Sequence, residues 1–147
     1  MSNISADLIW EITRKQNAFL VKRTYGGAAQ FSRDPLNLTN IHSRTHAGFV
    51  NDKAVGIVPN EKGGVQVISK KPGSANKPAT GLYKVTYGKN KSSRKTYKSI
   101  ASQVAKSGYR GDLRQAAVAR ASAIRRSQRP VKEDPPKKTR GKHAAAN

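Results

Sequence analysis

Leu82-Tyr83-Lys84-Val85-Thr86-Tyr87-Gly88-Lys89-Asn90-Lys91-Ser92-Ser93-Arg94-Lys95-Thr96-Tyr97-Lys98-Ser99-Ile100-Ala101-Ser102-Gln103-Val104 changes its period halfway along. From Leu82 to Tyr87, side chains of two kinds alternate, the period of a strand. From Tyr97 the apolar residues recur as Tyr97, Ile100, Ala101 and Val104, the i, i+3, i+4, i+7 stripe of an amphipathic helix. Ser93 is the expected cap of that helix, and Gly108 its expected left-handed C-terminal residue. A strand run followed by helices, without regular alternation, predicts an α+β fold on a small antiparallel sheet.

Moving toward the N-terminus, Val55-Gly56-Ile57-Val58-Pro59 and Gly64-Val65-Gln66-Val67-Ile68 are two strands, and Asn60-Glu61-Lys62-Gly63 is the hairpin loop between them. Lys70 to Thr80 has loop composition, and Ser32-Arg33-Asp34-Pro35-Leu36-Asn37 is turn chemistry. Ala18 to Thr24 favours a strand, ended by Gly26-Gly27. Ser5 caps a short helix in which Leu8, Ile9 and Ile12 form the expected apolar face, with Trp10 off that face and Asn17 at its end.

Toward the C-terminus, Asp112 is the expected cap of a second C-terminal helix running to Gln128. Leu113, Ala117, Ala121 and Ile124 share its narrow apolar face. Arg114 and Arg125 lie on one flank, Arg120 on the other, and Arg126 points away. Pro130 marks the stop. The expected organisation is one α+β domain over 1–130 and a basic tail over 131–147, ordered only with a partner.

The chain has 147 residues and a formal net charge of +21. Lys89 to Asn147 holds seventeen Lys or Arg against Asp112, Glu133 and Asp134, a net +14. Such a surface repels itself unless a polyanion neutralises it. Exposed helices ordinarily interleave Glu four residues from their cations; between Asp112 and Gln128 there is no acid beyond Asp112 itself. Nucleic acid is the partner this implies.

The candidate contacts to RNA are the helix residues Arg114, Arg120, Arg125 and Arg126, with Arg94, Lys95 and Lys98 on the preceding helix. Lys22, Arg23, Lys70, Lys71, Lys77, Arg110 and Arg129 stand at element ends or in loops. Arginine meets phosphate oxygens with a planar fork and stacks on exposed bases. Tyr83, Tyr87, Tyr97 and Tyr109 lie among these cations. Tyr97 belongs to an apolar stripe and is expected to pack, whereas Tyr109, between Gly108 and Arg110, is the best stacking candidate.

Other chemistry is poorly supported. There is no Cys, which excludes disulfides and cysteine-based sites. His42 and His46 have i, i+4 spacing, but the surrounding residues suggest a loop and no third ligand is near, so no metal site is expected. No carboxylate pair suits acid–base work, and Gly88-Lys89-Asn90-Lys91-Ser92-Ser93 lacks the spacing of a phosphate-binding loop. No cofactor and no enzymatic activity are expected. The first apolar run is broken by Glu11, Arg14 and Lys15, and no stretch approaches the ~18 apolar residues of a membrane span. A soluble intracellular protein is the expectation.

Several segments resemble the eukaryote-type large-subunit ribosomal protein family numbered twenty-eight. They are Leu8-Ile9-Trp10, Asn17 to Arg23, Asp34-Pro35-Leu36-Asn37-Leu38, Val55-Gly56-Ile57 and Gly64-Val65-Gln66-Val67. The strongest are Asp112-Leu113-Arg114, Ala116-Ala117, Arg120-Ala121-Ser122-Ala123-Ile124 and Ser127-Gln128-Arg129-Pro130. The sequence departs from the family pattern at Gly26-Gly27, at Gly111 in place of Pro, and in the tail. The resemblance implies a structural constituent of the 60S subunit of cytosolic ribosomes. Its expected partners are large-subunit ribosomal RNA, including expansion segments, and neighbouring large-subunit proteins, with nuclear and nucleolar passage during assembly. A nucleolar ribosome-assembly factor carries the same domain and is the alternative. That relative is longer, with cysteines and an acidic C-terminal region, neither of which this chain has.

Overall fold

A computed structural model describes residues 4–74, 77–106 and 108–135. The elements in order are α1 (Ala6–Thr13), β1 (Leu20–Lys22), β2 (Gln30–Ser32), β3 (Val55–Pro59), β4 (Gly64–Lys70), β5 (Leu82–Gly88), α2 (Ser93–Ala101) and α3 (Arg114–Ser127). A π-helical turn, Ser102–Lys106, extends α2, and a 3-10 turn, Gly111–Leu113, leads into α3. The expected α+β architecture is present, with two antiparallel sheets rather than one.

The larger sheet is an antiparallel meander of order β3-β4-β5. Val67 stands opposite both Ile57 and Val85, so this register lines up the apolar residues of all three strands on one face. Both C-terminal helices cover that face. Val55, Ile57, Val65 and Val67 meet Ile100, Val104, Leu113, Ala117 and Ala121 there, and Tyr87, Tyr97, Tyr109 and Ile124 close the periphery. Each fully buried Val or Ile contributes about 1.5–3 kcal/mol. The small Ala117 and Ala121, both 0% exposed, let the α3 backbone approach closely.

The opposite face of the sheet is covered at Gly56 by the 34–50 segment, which contains no long strand. A Cβ at Gly56 would run into the carbonyl oxygen of Pro35, so the close approach requires glycine. Two buried polar side chains hold this segment in place of a hydrogen-bonded ladder. Asp34 accepts from the backbone N–H of Leu36 and of Phe49, both at 2.9 Å. Asn37 donates to Ile41 O at 2.8 Å and accepts from Thr39 N at 3.1 Å. Leu38 is thereby delivered to the core.

Several sequence expectations need correction. α1 turns its other side inward. Ser5 does cap it, accepting from Leu8 N, but Leu8 and Ile12 are 53% and 71% exposed. Ala6, Ile9, Trp10 and Thr13 are the half-buried side. Trp10 packs on His42 with ring centroids 4.9 Å apart, and His42 Nε2 bonds Arg14 O at 2.8 Å. That aromatic contact with a distant loop fixes the rotation of the helix. Asn17 follows the helix end and donates to Thr13 O.

The β1–β2 pair, with Leu20 opposite Ser32, places in a strand a serine whose sequence neighbours read as a turn. Ser92, not Ser93, caps α2, accepting from Lys95 N. Asp112 does not cap α3; Leu113 holds the cap position without a side-chain bond. Gly108 does adopt the left-handed conformation, with φ of 63°.

Candidate nucleic-acid interface

α2 and α3 pack side by side over the sheet, so the basic residues of the C-terminal half project from two rigid, adjoining supports. Their surroundings divide the sequence-derived candidates into two groups.

The first group makes bonds to its own chain. Arg110 grips Asp112 with both arms of its guanidinium, Nε to Oδ1 at 2.8 Å and Nη2 to Oδ2 at 2.7 Å. It also donates to Lys53 O at 2.9 Å and Thr45 O at 3.0 Å, tying the turn before α3 to the 45–53 segment. Arg120 donates to Leu38 O at 3.4 Å and Asn40 Oδ1 at 3.0 Å. Arg125 reaches the carbonyls of Gly88 and Lys89, at 3.5 and 3.2 Å, where β5 leads toward α2. Lys70 lies at the end of β4 rather than in the loop, and its ammonium donates to Asn51 O at 2.9 Å. Burial pushes its pKa below the ordinary lysine value, with the carboxylates of Asp34 and Asp52 opposing.

Tyr109 also differs from expectation. Its hydroxyl lies 2.7 Å from Lys70 O and accepts from Ala54 N at 3.2 Å, and its ring packs against the core. It ties the turn before α3 to the residue preceding β3 and to the end of β4. Burial raises its pKa above 10.0, with its hydrogen bonds to Ala54 and Lys70 and the nearby Arg110 opposing. Its hydroxyl is thus committed to the fold, a bracing role the sequence did not suggest. Asp112 moves the other way. The Arg110 fork holds its carboxyl below 3.8.

The second group is exposed: Lys22, Arg23, Lys71, Lys77, Arg94, Lys95, Lys98, Arg114, Arg126 and Arg129. The ion pairs among the described residues are Arg14–Glu11, Arg44–Asp7 and Arg110–Asp112, so none of this second group is neutralised by a carboxylate. Arg94, Lys95 and Lys98 lie on α2, and Arg114 and Arg126 lie near opposite ends of α3. Lys22 and Arg23 are at the end of β1, and Lys71 and Lys77 lie in the loop between β4 and β5. Residues 136–147, the greater part of the expected tail, lie outside the described residues.

Two features were missed by sequence reasoning. Lys91 sits 4.7 Å from the centroid of the Tyr87 ring, a cation–π contact at the turn into α2. A cleft of about 540 Å³ also opens between the helices, lined by Tyr97, Arg114, Gln115, Val118, Ala119 and Ser122. Tyr97 carried no signal for it, because it stands within the apolar stripe of α2 and read as a packing residue. Gln115 carried none.

His46 Nδ1 lies 2.8 Å from Ser43 Oγ. Among the described residues no group of three or more His, Asp or Glu could hold a metal ion, and no helix is long and apolar enough to cross a membrane.

The protein called large ribosomal subunit protein eL28 in Schizosaccharomyces pombe is 49% identical over 131 residues, spanning 88% of this chain and 97% of that protein. A protein of the same name in Trypanosoma cruzi is 35% identical over 80 residues, 54% of this chain and 51% of that one. The pattern of the Ribosomal L28e protein family matches residues 8–127, from α1 to the last residue of α3. The chain therefore belongs to the Ribosomal L28e protein family.

Proposed function

We propose that this chain is a structural, non-enzymatic constituent of the large ribosomal subunit, binding folded ribosomal RNA through Arg and Lys contacts to phosphates. Near-full-length similarity to a large-subunit protein carries the reading. Its chemistry is supplied by exposed cations on α2 and α3 that no carboxylate of the described residues neutralises. Arg94, Lys95, Lys98, Arg114 and Arg126 are the principal phosphate contacts, with Lys22, Arg23, Lys71, Lys77 and Arg129 as further points. Lys70, Tyr109, Arg110, Arg120 and Arg125 shape the surface by bracing it from within.

Contacts of this kind position a protein on RNA and read little sequence. Residues 1–130 act as the RNA-binding unit, with 131–147 as a basic tail that orders in the particle. The site of action is the cytosolic ribosome, after passage through the nucleolus, and the contacts include expansion segments and neighbouring large-subunit proteins.

Sedimentation of the native protein tests this. It should travel with mature 60S particles and resist moderate salt. Recovery only from soluble fractions overturns the proposal, and recovery only from immature particles makes the chain an assembly factor instead.

A further inference from the structure

We propose that the cleft between α2 and α3 receives an unstacked RNA base, with Tyr97 as its stacking surface, Gln115 as the hydrogen-bonding group at its edge and Arg114 as the anchor for its phosphate. This rests on the ribosomal-RNA reading and adds a site to it.

The lining is the first argument. The cleft combines an aromatic ring, two small apolar side chains, Val118 and Ala119, and three polar groups, Arg114, Gln115 and Ser122. A planar heterocycle needs that mixture: a surface to stack on and a donor–acceptor group for its edge.

Bonding is the second argument. Among the described residues neither the Tyr97 hydroxyl nor the Gln115 amide makes a hydrogen bond. The comparable groups elsewhere in the C-terminal region are committed. The Tyr109 hydroxyl bridges Ala54 and Lys70, and the Gln128 amide makes two bonds to Gly64. The polar groups around the cleft are those left for an external partner.

Charge decides the class of occupant. Arg94 and Lys98 stand three residues before and one after Tyr97, and a helical period places both on its outward side. Both are exposed. Arg114 stands on the opposite wall. The nearest acid along the chain, Asp112, is gripped by Arg110. An apolar trough with a cationic rim fits a base flanked by its own phosphates. A neighbouring protein's apolar side chain would leave that rim unneutralised.

The full chain can be titrated with a single-stranded RNA and with an abasic ribose–phosphate strand of equal length. The unaltered chain should prefer the RNA by about tenfold. Gln115→Ala, on an exposed helix surface, and Tyr97→Leu should each reduce that preference several-fold without changing the salt dependence, while Tyr97→Phe should keep most of it. An undiminished preference in both Gln115→Ala and Tyr97→Leu overturns the base site alone. No binding to the single-stranded RNA likewise overturns the base site alone, whereas salt-independent binding of folded large-subunit ribosomal RNA, or no binding to it, overturns the ribosomal-RNA reading as well. Ultraviolet crosslinking of native large subunits gives a check that needs no variant. A nucleotide adduct on the peptide carrying Tyr97 or Gln115 supports the site, and a neighbouring protein crosslinked there in its place overturns it.

Discussion

Gln128 and Gly64, 64 positions apart, are joined by two hydrogen bonds: Gln128 Nε2 donates to Gly64 O and Gly64 N donates to Gln128 Oε1, each at 2.8 Å. The side-chain amide thus acts like a neighbouring strand at the start of β4, where Gly64 has φ of 92° and a Cβ would collide with Tyr87 O. This clasp fixes the end of α3 to the sheet. Gln128→Ala should lower stability by about 1–3 kcal/mol, because it strands a part-buried backbone donor. Gln128→Glu keeps the acceptor but loses the donor, and should fall between. Urea midpoints check the order, and a Gln128→Ala midpoint equal to that of the unaltered chain would remove the clasp from the account.

Tyr109 makes a second long-range tie, and its chemistry gives it a pH signature. Its hydroxyl carries one proton, which goes to Lys70 O, and accepts from Ala54 N. Tyr109→Phe should cost about 1–3 kcal/mol by leaving those groups unpaired. Burial raises its pKa above 10.0, so its contribution is complete below pH 10.0. It is lost as the pH rises through the folded-state value. The stability gap between the unaltered chain and Tyr109→Phe should therefore shrink above pH 10.0 in denaturant titrations. A gap constant with pH would show that the phenol keeps no raised pKa.

Arg110 and Asp112 predict the acid limb. The guanidinium fork depresses the carboxyl below 3.8. The resulting stabilisation is present above pH 3.8 and disappears as the pH falls through the folded-state value. Asp112→Asn should be less stable than the unaltered chain at neutral pH and converge with it in acid. Its half-exposed carboxylate keeps the effect modest. Parallel acid limbs for the two proteins would rule out the pair as a pH-dependent tie.

What could be seen in the sequence was whatever short-range pattern determines. The β3–β4 hairpin and β5 follow from alternation, and α3 from Leu113, Ala117, Ala121 and Ile124. What could not be seen depended on partners far along the chain. α1 turned inward because Trp10 meets His42, a contact no helical wheel contains. β1 falls within the strand expected over Ala18 to Thr24, but β2 is only three residues, too short for alternation to register. The candidate interface was legible as charge, but not as a division of labour. Arg110, Arg120 and Arg125 look like Arg114 and Arg126 in sequence. Only the fold gives the first three acceptors on their own chain.

That division makes the last prediction. Arg114 and Arg126 are exposed on α3 without bonded partners among the described residues, whereas Arg120 holds Leu38 O and Asn40 Oδ1. Replacing both Arg114 and Arg126 by Ala should leave the urea midpoint within about 0.5 kcal/mol of the unaltered chain, since Ala is a good helix former on an exposed surface. The same variant should reduce the slope of log affinity for ribosomal RNA against log salt by about 2, one for each phosphate no longer neutralised. Arg120→Ala should do the reverse. It removes two hydrogen bonds, about 0.5–1.5 kcal/mol each, between α3 and the loop that delivers Leu38, and leaves the salt slope nearly unchanged. Pairing urea titrations with salt-dependent RNA binding separates the two roles. A large drop in salt slope for Arg120→Ala, or none for the double variant, would mean that bracing and phosphate binding are not divided as the geometry indicates.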